Sequence, residues 1–326
     1  MRALVCSGIA DELQNLAISD CPVPLPAAGQ VQLKVSAASV NYPDILMCQG
    51  RYQHRPDMPF IPGMNVAGEV TAVGAAVTGF QLGERVAGSA KTGGFAEFAV
   101  IDSDQLRHIP AAVSMPVAAA FPSAYLTAYV ALVRRGNLQP GETLLVHGAS
   151  GGVGLAAVDL GRILGARVIA TSGQAEKRQI LTAYGADHCL DANAPFAAEV
   201  KALTDGRGAD VIFDSIGGDV FDQSTRCIAF DGRLLVIGFM AGRFATLATN
   251  IALIKGFSVV GVRAGEYGRQ FPARGQENLD AIWTLAANGQ VKPRIHAELP
   301  LADAAAAMQM LADRQVVGKV VVRCDR

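Results

Sequence analysis

Two patterns of apolar and polar positions divide the chain. Up to about residue 115, short apolar runs alternate with polar residues, as residues 31–38 do, and closely spaced turn residues separate the runs. Alternation of this kind is typical of strands with one buried face. The first part therefore predicts a compact, barrel-like β-domain. Its predicted strands are residues 2–7, 31–38, 68–73, 85–88 and 95–101.

From Pro116 onward, wholly apolar runs alternate with amphipathic helical patterns. Parallel strands that are buried on both faces have this character, so the second part predicts a doubly wound α/β sheet of the Rossmann type. The tail, residues 276–326, contains two helical patterns and a final strand, and we assign it to the first domain. The predicted domains are residues 1–118, completed by 264–326, and residues 119–263.

Residues 144–158 contain the central motif of the second part. An apolar strand leads into a glycine-rich turn, and a helical pattern follows it. In a dinucleotide-binding unit of this kind, Gly151 allows the backbone to approach a pyrophosphate and Gly154 allows the helix to pack on the strand. Ala149 stands where the first glycine of a G-x-G-x-x-G motif is usual. The alternative is a glycine-rich turn without a ligand.

The end of the next strand, at residues 169–173, bears on the choice between NAD and NADP. NAD-binding units place an acidic residue there, which accepts a hydrogen bond from the ribose 2′-hydroxyl. No Asp or Glu lies between the end of this strand and Glu176. Ser172 can instead donate to a 2′-phosphate, Gly173 leaves room for it, and Lys177 can neutralise it. The sequence therefore favours NADPH, with a solvated Lys177 as the alternative.

Composition narrows the classes of function. The 326 residues carry a formal net charge of -1, which gives no general attraction to nucleic acid or to acidic membranes. The N-terminus lacks the apolar core and the flanks of a secretory signal. We expect a cytoplasmic protein with neither nucleic-acid nor membrane partners. The six cysteines occur singly, which predicts free thiols rather than disulfides or a zinc knuckle.

Several segments together resemble the medium-chain dehydrogenase/reductase family, in its zinc-independent quinone oxidoreductase (ζ-crystallin-like) branch. They are residues 38–44 (ASVNYPD), 50–52 (GRY), 62–70 (PGMNVAGEV), 127–129 (TAY) and 147–154 (HGASGGVG). The resemblance covers essentially the whole chain. It implies a GroES-like β-domain beside the Rossmann domain, NADPH as the hydride donor, a homodimer, and an active site between the domains.

The same resemblance assigns individual residues to the cofactor. Asn41 and Thr127 are implied beside the nicotinamide, and Arg314 is implied as a basic residue that assists at the 2′-phosphate. Some relatives carry a tyrosine near the adenosine phosphate where this chain has Asp191-Ala192, which removes one donor there. The complete predicted cofactor-binding set is Asn41, Thr127, Ser150, Gly151, Gly152, Val153, Ser172, Gly173, Lys177, Gly238, Phe239 and Arg314.

The chain also lacks the metal ligands of zinc-dependent relatives, so we predict no metal site. Where those enzymes carry a Gly-His-Glu run, Met64 and Asn65 follow the glycine here, and both are poor zinc ligands. Without a Lewis acid, hydride transfer to an electron-poor acceptor is favoured over alcohol oxidation. Tyr52 and Asn41 are the catalytic candidates. Tyr52 either donates a proton or packs its loop against the barrel, and Asp44 is interpreted as a capping or loop-fixing acid.

Three functions remain open at this point. The leading interpretation is an NADPH-dependent, zinc-independent quinone oxidoreductase. The first alternative is a reductase of the C=C bond of an enoyl thioester or enone. The chain also resembles reductases of that kind at Asn41, Asp44, Gly50 and Tyr52. The second alternative is a non-catalytic, NADPH-binding, crystallin-like protein.

Overall fold

The computed structural model describes residues 1–325 and divides into two compact units. The first unit comprises Met1–Pro122 and the chain from Pro293 onward, and the second comprises Ser123–Lys292. The first unit consists mainly of strands, whereas strands and helices alternate in the second.

Strands dominate the N-terminal part of the first unit. Its elements are β1 (Arg2–Cys6), β2 (Leu16–Asp20), β3 (Gln30–Ser39), α1 (Tyr42–Cys48), β4 (Asn65–Val73), β5 (Arg85–Ser89), β6 (Phe98–Asp102) and β7 (Leu106–His108).

The second unit begins within a helix, α2 (Met115–Tyr129), which continues as a π-helix, Val130–Arg135. The elements that follow are β8 (Thr143–Val146), α3 (Gly152–Ile163), β9 (Arg167–Ser172), α4 (Ala175–Tyr184), β10 (His188–Asp191), α5 (Ala197–Leu203), β11 (Ala209–Asp214), α6 (Gly218–Cys227), β12 (Ile228–Val236), α7 (Thr249–Lys255), β13 (Ser258–Gly261), α8 (Ala264–Gln270) and α9 (Pro272–Ala287). The chain then returns to the first unit with β14 (Ile295–Pro300), α10 (Ala304–Ala312) and β15 (Lys319–Arg323).

β3 is the central strand of the first unit. The main sheet has the order β14-β15-β3-β4-β5-β7, and β6 also pairs with β3. The first half of β3 pairs with β6 and its end pairs with β15, so one long strand exchanges partners along its length, as strands of a closed barrel do. Leu33, Val35 and Phe95 are fully buried in the resulting core.

The second unit contains a six-stranded parallel sheet with the order β10-β9-β8-β11-β12-β13. In the numbering of this unit alone, the order is that of doubly wound dinucleotide-binding sheets. Leu144, Leu145 and Ile212 are completely buried, as expected where helices cover both faces. The predicted fold class, a doubly wound sheet plus a barrel-like domain, is confirmed.

The helix Met115–Arg135 is long and apolar enough to cross a membrane by length and composition alone. It contains Pro122, and Phe121, Ala124 and Ala128 are buried inside the protein. A helix that is apolar on all sides is typical of a protein core as well as of a membrane. We interpret this helix as a core helix.

The tail divides differently from its prediction. Residues 264–292, which the sequence assigned to the first domain, lie in the second unit, and only the chain from Pro293 returns. Arg134 fixes α9 there, because its Nε donates to Asn278 Oδ1 at 2.7 Å and its Nη2 donates to Glu277 Oε2 at 2.8 Å. Polar anchors of this kind leave no hydrophobic periodicity, so the sequence pattern gave the boundary incorrectly.

His147, directly after β8, connects three elements of the second unit. Its Nδ1 lies 3.0 Å from Thr171 Oγ1 at the end of β9, and its Nε2 lies 2.9 Å from Ser224 Oγ in α6. The ring is completely buried, and this burial lowers the pKa of His147 to about 3. The imidazole is therefore neutral at physiological pH and acts as a structural link.

This neutral histidine predicts acid sensitivity. The unfolded chain takes up a proton near pH 6.5 that the folded protein does not bind, so the contribution to stability is complete above about pH 6.5 and is lost as the pH falls. We expect His147 to account for a loss of about 2 kcal/mol between pH 7 and pH 5. Urea unfolding of the wild type and of His147→Gln at both pH values measures this loss of unfolding free energy. Equal pH slopes for the two proteins would contradict the assignment.

Candidate functional site

The glycine-rich turn follows β8, the strand at which the order of the parallel sheet reverses. β8 lies between β9 and β11, and doubly wound sheets bind ligands outside the carboxyl ends of their strands at such a point. The backbone N–H of Ala149 donates to Thr171 O at 3.4 Å, which brings the turn beside the end of β9. This edge of the second unit carries Ser150, Gly151, Gly152, Val153, Ser172, Gly173 and Lys177.

The backbone requires glycine at two positions of this turn. Gly148 has a φ of +63°, in the left-handed region that favours glycine. A Cβ on Gly154 would overlap the carbonyl oxygen of Gly148 and would lie 2.8 Å from the Cα of Ala149. A side chain at position 154 would therefore push α3 away from the turn.

The first turn of α3 has the donor groups that an anion needs. Gly151 is the N-cap, and no side chain caps the helix. The first N–H groups of a helix have no partner within it, and the helix dipole adds partial positive charge there. A Cβ on Gly151 would meet only Gly148 O, at 3.4 Å, so the protein leaves space beside the turn. A pyrophosphate fits this arrangement.

Two cations follow the end of β9. Ser172 is the last residue of that strand, and Lys177 lies in α4 with 9% of its surface exposed. Burial lowers the pKa of the Lys177 amine. Nη1 of Arg178 donates to Ser172 O at 2.8 Å. Hydroxyl, ammonium and guanidinium groups in this arrangement suit a phosphate.

The loop after β12 lies beside the turn after β11. Asp214 Oδ1 accepts two backbone N–H groups of that turn, at 2.8 and 2.9 Å, and burial raises the pKa of the carboxyl. The N–H of Met240 donates to Ser215 O at 3.2 Å. Gly238 and Phe239 are therefore held at the carboxyl ends of the strands, where the Phe239 ring is 48% exposed.

A polar cluster in the first unit surrounds Asn41, the residue before α1. Its Nδ2 donates to Ser39 O and to Asn65 Oδ1, both at 3.0 Å. Its Oδ1 accepts from Lys319 Nζ at 2.6 Å. Asn65 Nδ2 donates in turn to Ser89 Oγ at 2.5 Å. Both amide hydrogens of Asn41 are thus engaged, and its Oδ1 already accepts from Lys319.

Asp44 supplies the negative charge near this cluster. It is completely buried, and its two oxygens accept the N–H groups of Asn41 at 2.8 Å and of Gly63 at 3.2 Å. Burial raises the pKa of Asp44 to about 6, although these hydrogen bonds and the charge of Lys319 lower it. Burial lowers the pKa of Lys319 to about 8. Asp44 therefore fixes the loop, as its interpretation from the sequence states.

Lys319 is the polar residue that the sequence reasoning missed. It opens β15, whose next three residues are buried valines, and its Nζ also donates to Val40 O at 2.8 Å. A single lysine at the start of an otherwise apolar strand is the signal that could have found it, because a charge there needs a partner.

Three further predicted residues lie outside the glycine turn and the Asn41 cluster. Tyr52 follows α1 in the first unit, and its half-buried ring packs against the hydrophobic core. Thr127 lies in α2, where its Oγ1 donates to Ser123 O at 2.8 Å. Arg314 is exposed before β15, with a φ of +57°.

The prediction that the chain has no metal site rests on the side chains available as ligands. Met64 precedes β4 and Asn65 is its first residue, and the Asn65 amide is engaged with Asn41 and Ser89. Among residues 1–325, no group of three or more His, Cys, Asp and Glu side chains is arranged to hold a metal ion.

Two family models match the chain. The alcohol dehydrogenase GroES-like domain matches residues 27–111, and the zinc-binding dehydrogenase domain matches residues 152–282. A GroES-like barrel combined with a dinucleotide-binding sheet defines the class of medium-chain dehydrogenases.

Similar proteins narrow this class. The chain is 40% identical over 297 residues to the quinone oxidoreductase-like protein 2 homolog of Nematostella vectensis, covering 90% of this chain and 81% of that protein. The crystal structure of Escherichia coli quinone oxidoreductase complexed with NADPH has a TM-score of 0.90 at 27% identity, with 99% of this chain and 100% of that chain covered. The chain is also 31% identical over 302 residues to the phthioceranic/hydroxyphthioceranic acid synthase of Mycobacterium tuberculosis, covering 91% of this chain and 14% of the synthase. The chain belongs to the quinone oxidoreductase-like branch of the medium-chain dehydrogenase/reductase family.

Proposed function

We propose that this chain transfers hydride from NADPH to a quinone, or to a similarly electron-poor small molecule, without a metal ion. The observation that carries the proposal is the likeness, over 99% of this chain, to a quinone oxidoreductase crystallised with NADPH, together with the identity to a quinone oxidoreductase-like protein. The hydrogen-bond donors of the second unit support NADPH as the cofactor. The uncapped first turn of α3 suits a pyrophosphate, and Ser172 with Lys177 suits a 2′-phosphate.

The Asn41 cluster supports the metal-free part of the proposal. A cation, Lys319, donates to Asn41 Oδ1 at 2.6 Å and to Val40 O at 2.8 Å. Preorganised charges and dipoles of this kind can stabilise negative charge that develops on an acceptor oxygen, which is the role of a Lewis acid elsewhere. The bound cofactor would supply the hydride, while the chain orients the acceptor and excludes water.

Tyr52 is the proposed proton donor to the reduced acceptor. Its ring packs, partly buried, against the core of the first unit. A phenol can donate a hydrogen bond or a proton to a developing oxyanion or enolate. The packing and the chemistry are compatible, because they use different ends of the side chain.

Steady-state oxidation of NADPH tests the proposal. We expect kcat/KM with 1,4-benzoquinone to exceed that with crotonyl-CoA by about tenfold or more. Dialysis against a chelator is expected to leave the rate unchanged, because no step uses a metal. Absence of turnover with every quinone tried would refute the proposed activity.

The Tyr52→Phe variant tests the proton donor in the same assay. We expect kcat to fall about 10- to 100-fold, with KM and the melting temperature little changed. Tyr42→Phe, a partly exposed tyrosine at the start of α1, is the matched control and is expected to keep wild-type kcat. Equal kcat values for the two variants would reduce Tyr52 to its packing role.

Reduction of a C=C bond conjugated to a carbonyl is the second candidate. The identity with a segment of an acid synthase favours it, and the β-carbon of an enone accepts hydride without a metal, as a quinone does. A higher kcat/KM with crotonyl-CoA than with 1,4-benzoquinone would select this alternative.

A further inference from the structure

Resting on the proposed function, we propose that Arg178 and Asp191 together determine how strongly this chain prefers NADPH to NADH. Arg178 acts as a second cation, beside Lys177, for the 2′-phosphate. Asp191 partly neutralises Arg178 and so limits the preference.

A closed set of hydrogen bonds and one ion pair holds the two side chains at the ends of neighbouring strands. Ser172 ends β9 and is in register with Asp191, which ends β10. Arg178 Nη1 lies 2.8 Å from Ser172 O and 3.3 Å from Asp191 Oδ2. The guanidinium of Arg178, which lies in α4, therefore bridges the carboxyl ends of β9 and β10.

Asp191 is fixed from its other side as well. Its Oδ1 accepts the N–H of Asn193 at 2.9 Å, and Asn193 Nδ2 donates to Gly173 O at 3.0 Å. Gly173, the residue after Ser172, therefore has the Asn193 amide as its neighbour, 2.8 Å from where a Cβ would lie. Asp191 cannot move away from Ser172 and Gly173 without breaking these bonds.

The charges explain the direction of the effect. A phosphate monoester carries about 1.5 to 2 negative charges at pH 7, so a neighbouring carboxylate opposes its binding and a guanidinium favours it. The Asp191 side chain is 39% exposed and that of Arg178 is 23% exposed, so both charges act on a ligand at the surface. NADH has a neutral 2′-hydroxyl there and should respond little to either charge.

Calorimetric titration with 2′,5′-ADP and 5′-AMP isolates the 2′-phosphate from the rest of the cofactor. For Asp191→Asn, which keeps the acceptor for Asn193, we expect the Kd of 2′,5′-ADP to fall about threefold to tenfold and that of 5′-AMP to stay within about twofold. For Arg178→Gln, we expect the Kd of 2′,5′-ADP to rise about tenfold, again with 5′-AMP unchanged. NADPH and NADH should follow the same pattern.

Asp205→Asn is the matched control. It removes the same charge from an exposed residue in the loop before β11, at the amino ends of the parallel strands, and asparagine tolerates its φ of +51°. This variant is expected to bind both probes like the wild type. The Arg178→Gln/Asp191→Asn double variant is expected to lie between the single variants, and 0.5 M salt should reduce every difference, as follows from screening.

Two results would overturn the inference. One is an unchanged ratio of the 2′,5′-ADP and 5′-AMP affinities in both single variants. The other is an equal loss of both affinities in Asp191→Asn, which would leave Asp191 only its contact with Asn193. A wild-type chain that bound neither NADPH nor 2′,5′-ADP would instead contradict the proposed function.

Discussion

Gly154→Ala is expected to disrupt the second unit and to remove nearly all NADPH binding. The added Cβ would overlap the carbonyl oxygen of Gly148 and lie 2.8 Å from the carbonyl carbon of the same residue. These are backbone atoms of a turn in which Gly148 already has a φ of +63°, so they cannot rotate away as the end of a side chain can. α3 must shift instead. We expect a loss of about 3 kcal/mol in unfolding free energy, since overpacking at a rigid site costs about 1–3 kcal/mol or more.

The binding loss follows from the same displacement. A pyrophosphate held by the first N–H groups of α3 loses them when the helix shifts, and hydrogen bonds to a charged group contribute about 1.5–3 kcal/mol each. Two lost bonds therefore predict a Kd raised by about 100-fold or more. Urea unfolding measures the first effect and NADPH titration measures the second.

Gly151→Ala is the matched control for Gly154→Ala. Its Cβ would meet only Gly148 O at 3.4 Å, and the φ of -74° suits alanine. We expect its stability to stay within about 0.5 kcal/mol of the wild type, whereas NADPH binding weakens because the methyl group occupies the space of the ligand. Equal destabilisation by both substitutions would show that the turn yields as a whole.

The fold was predictable from the sequence to the extent that hydrophobic patterns specify it. The parallel sheet gave wholly apolar runs, and β3 gave clear alternation, so both were identified. β2 was missed because four of its five side chains are exposed and only the first is half-buried. The boundary at residue 264 was wrong because hydrogen bonds from Arg134, rather than apolar contacts alone, attach α9 to the second unit.

The candidate site likewise contains a part that local sequence predicts and a part that it does not. The glycine turn is local in sequence, so its motif predicted a turn that the backbone angles then explain. The Asn41 cluster joins residues far apart in the chain, since Asn41 and Lys319 are 278 positions apart. Single-sequence patterns do not report such contacts, which is why Lys319 was absent from the predicted set.

Lys319→Met is expected to give the second large effect, a loss of about 3 kcal/mol in unfolding free energy at pH 7.5. The variant removes the donor to Asn41 Oδ1 and to Val40 O, at 2.6 and 2.8 Å, and it removes the counter-charge of the buried Asp44. Leaving one buried charge without its partner is costly because the remaining ion is poorly solvated. We also expect the NADPH–quinone rate to fall, since Asn41 loses its fixed orientation.

The pH dependence separates the lost charge from a simple packing defect. The pKa of Asp44 is about 6 in the folded protein, above the ordinary value of 3.8, so ionising it above pH 6 costs stability and calls for a counter-charge. The pKa of Lys319 is about 8, so the pair is charged between pH 6 and pH 8. At pH 5, where Asp44 is protonated, Lys319→Met should cost about 1–2 kcal/mol less than at pH 7.5.

Two controls test this dependence. In an Asp44→Asn background the pH difference should disappear. Lys34→Met, at an exposed position of β3, should cost the same at both pH values. Urea unfolding of these variants at the two pH values measures the cycle, and a cost for Lys319→Met that does not change with pH would mean that its charge does not act on Asp44.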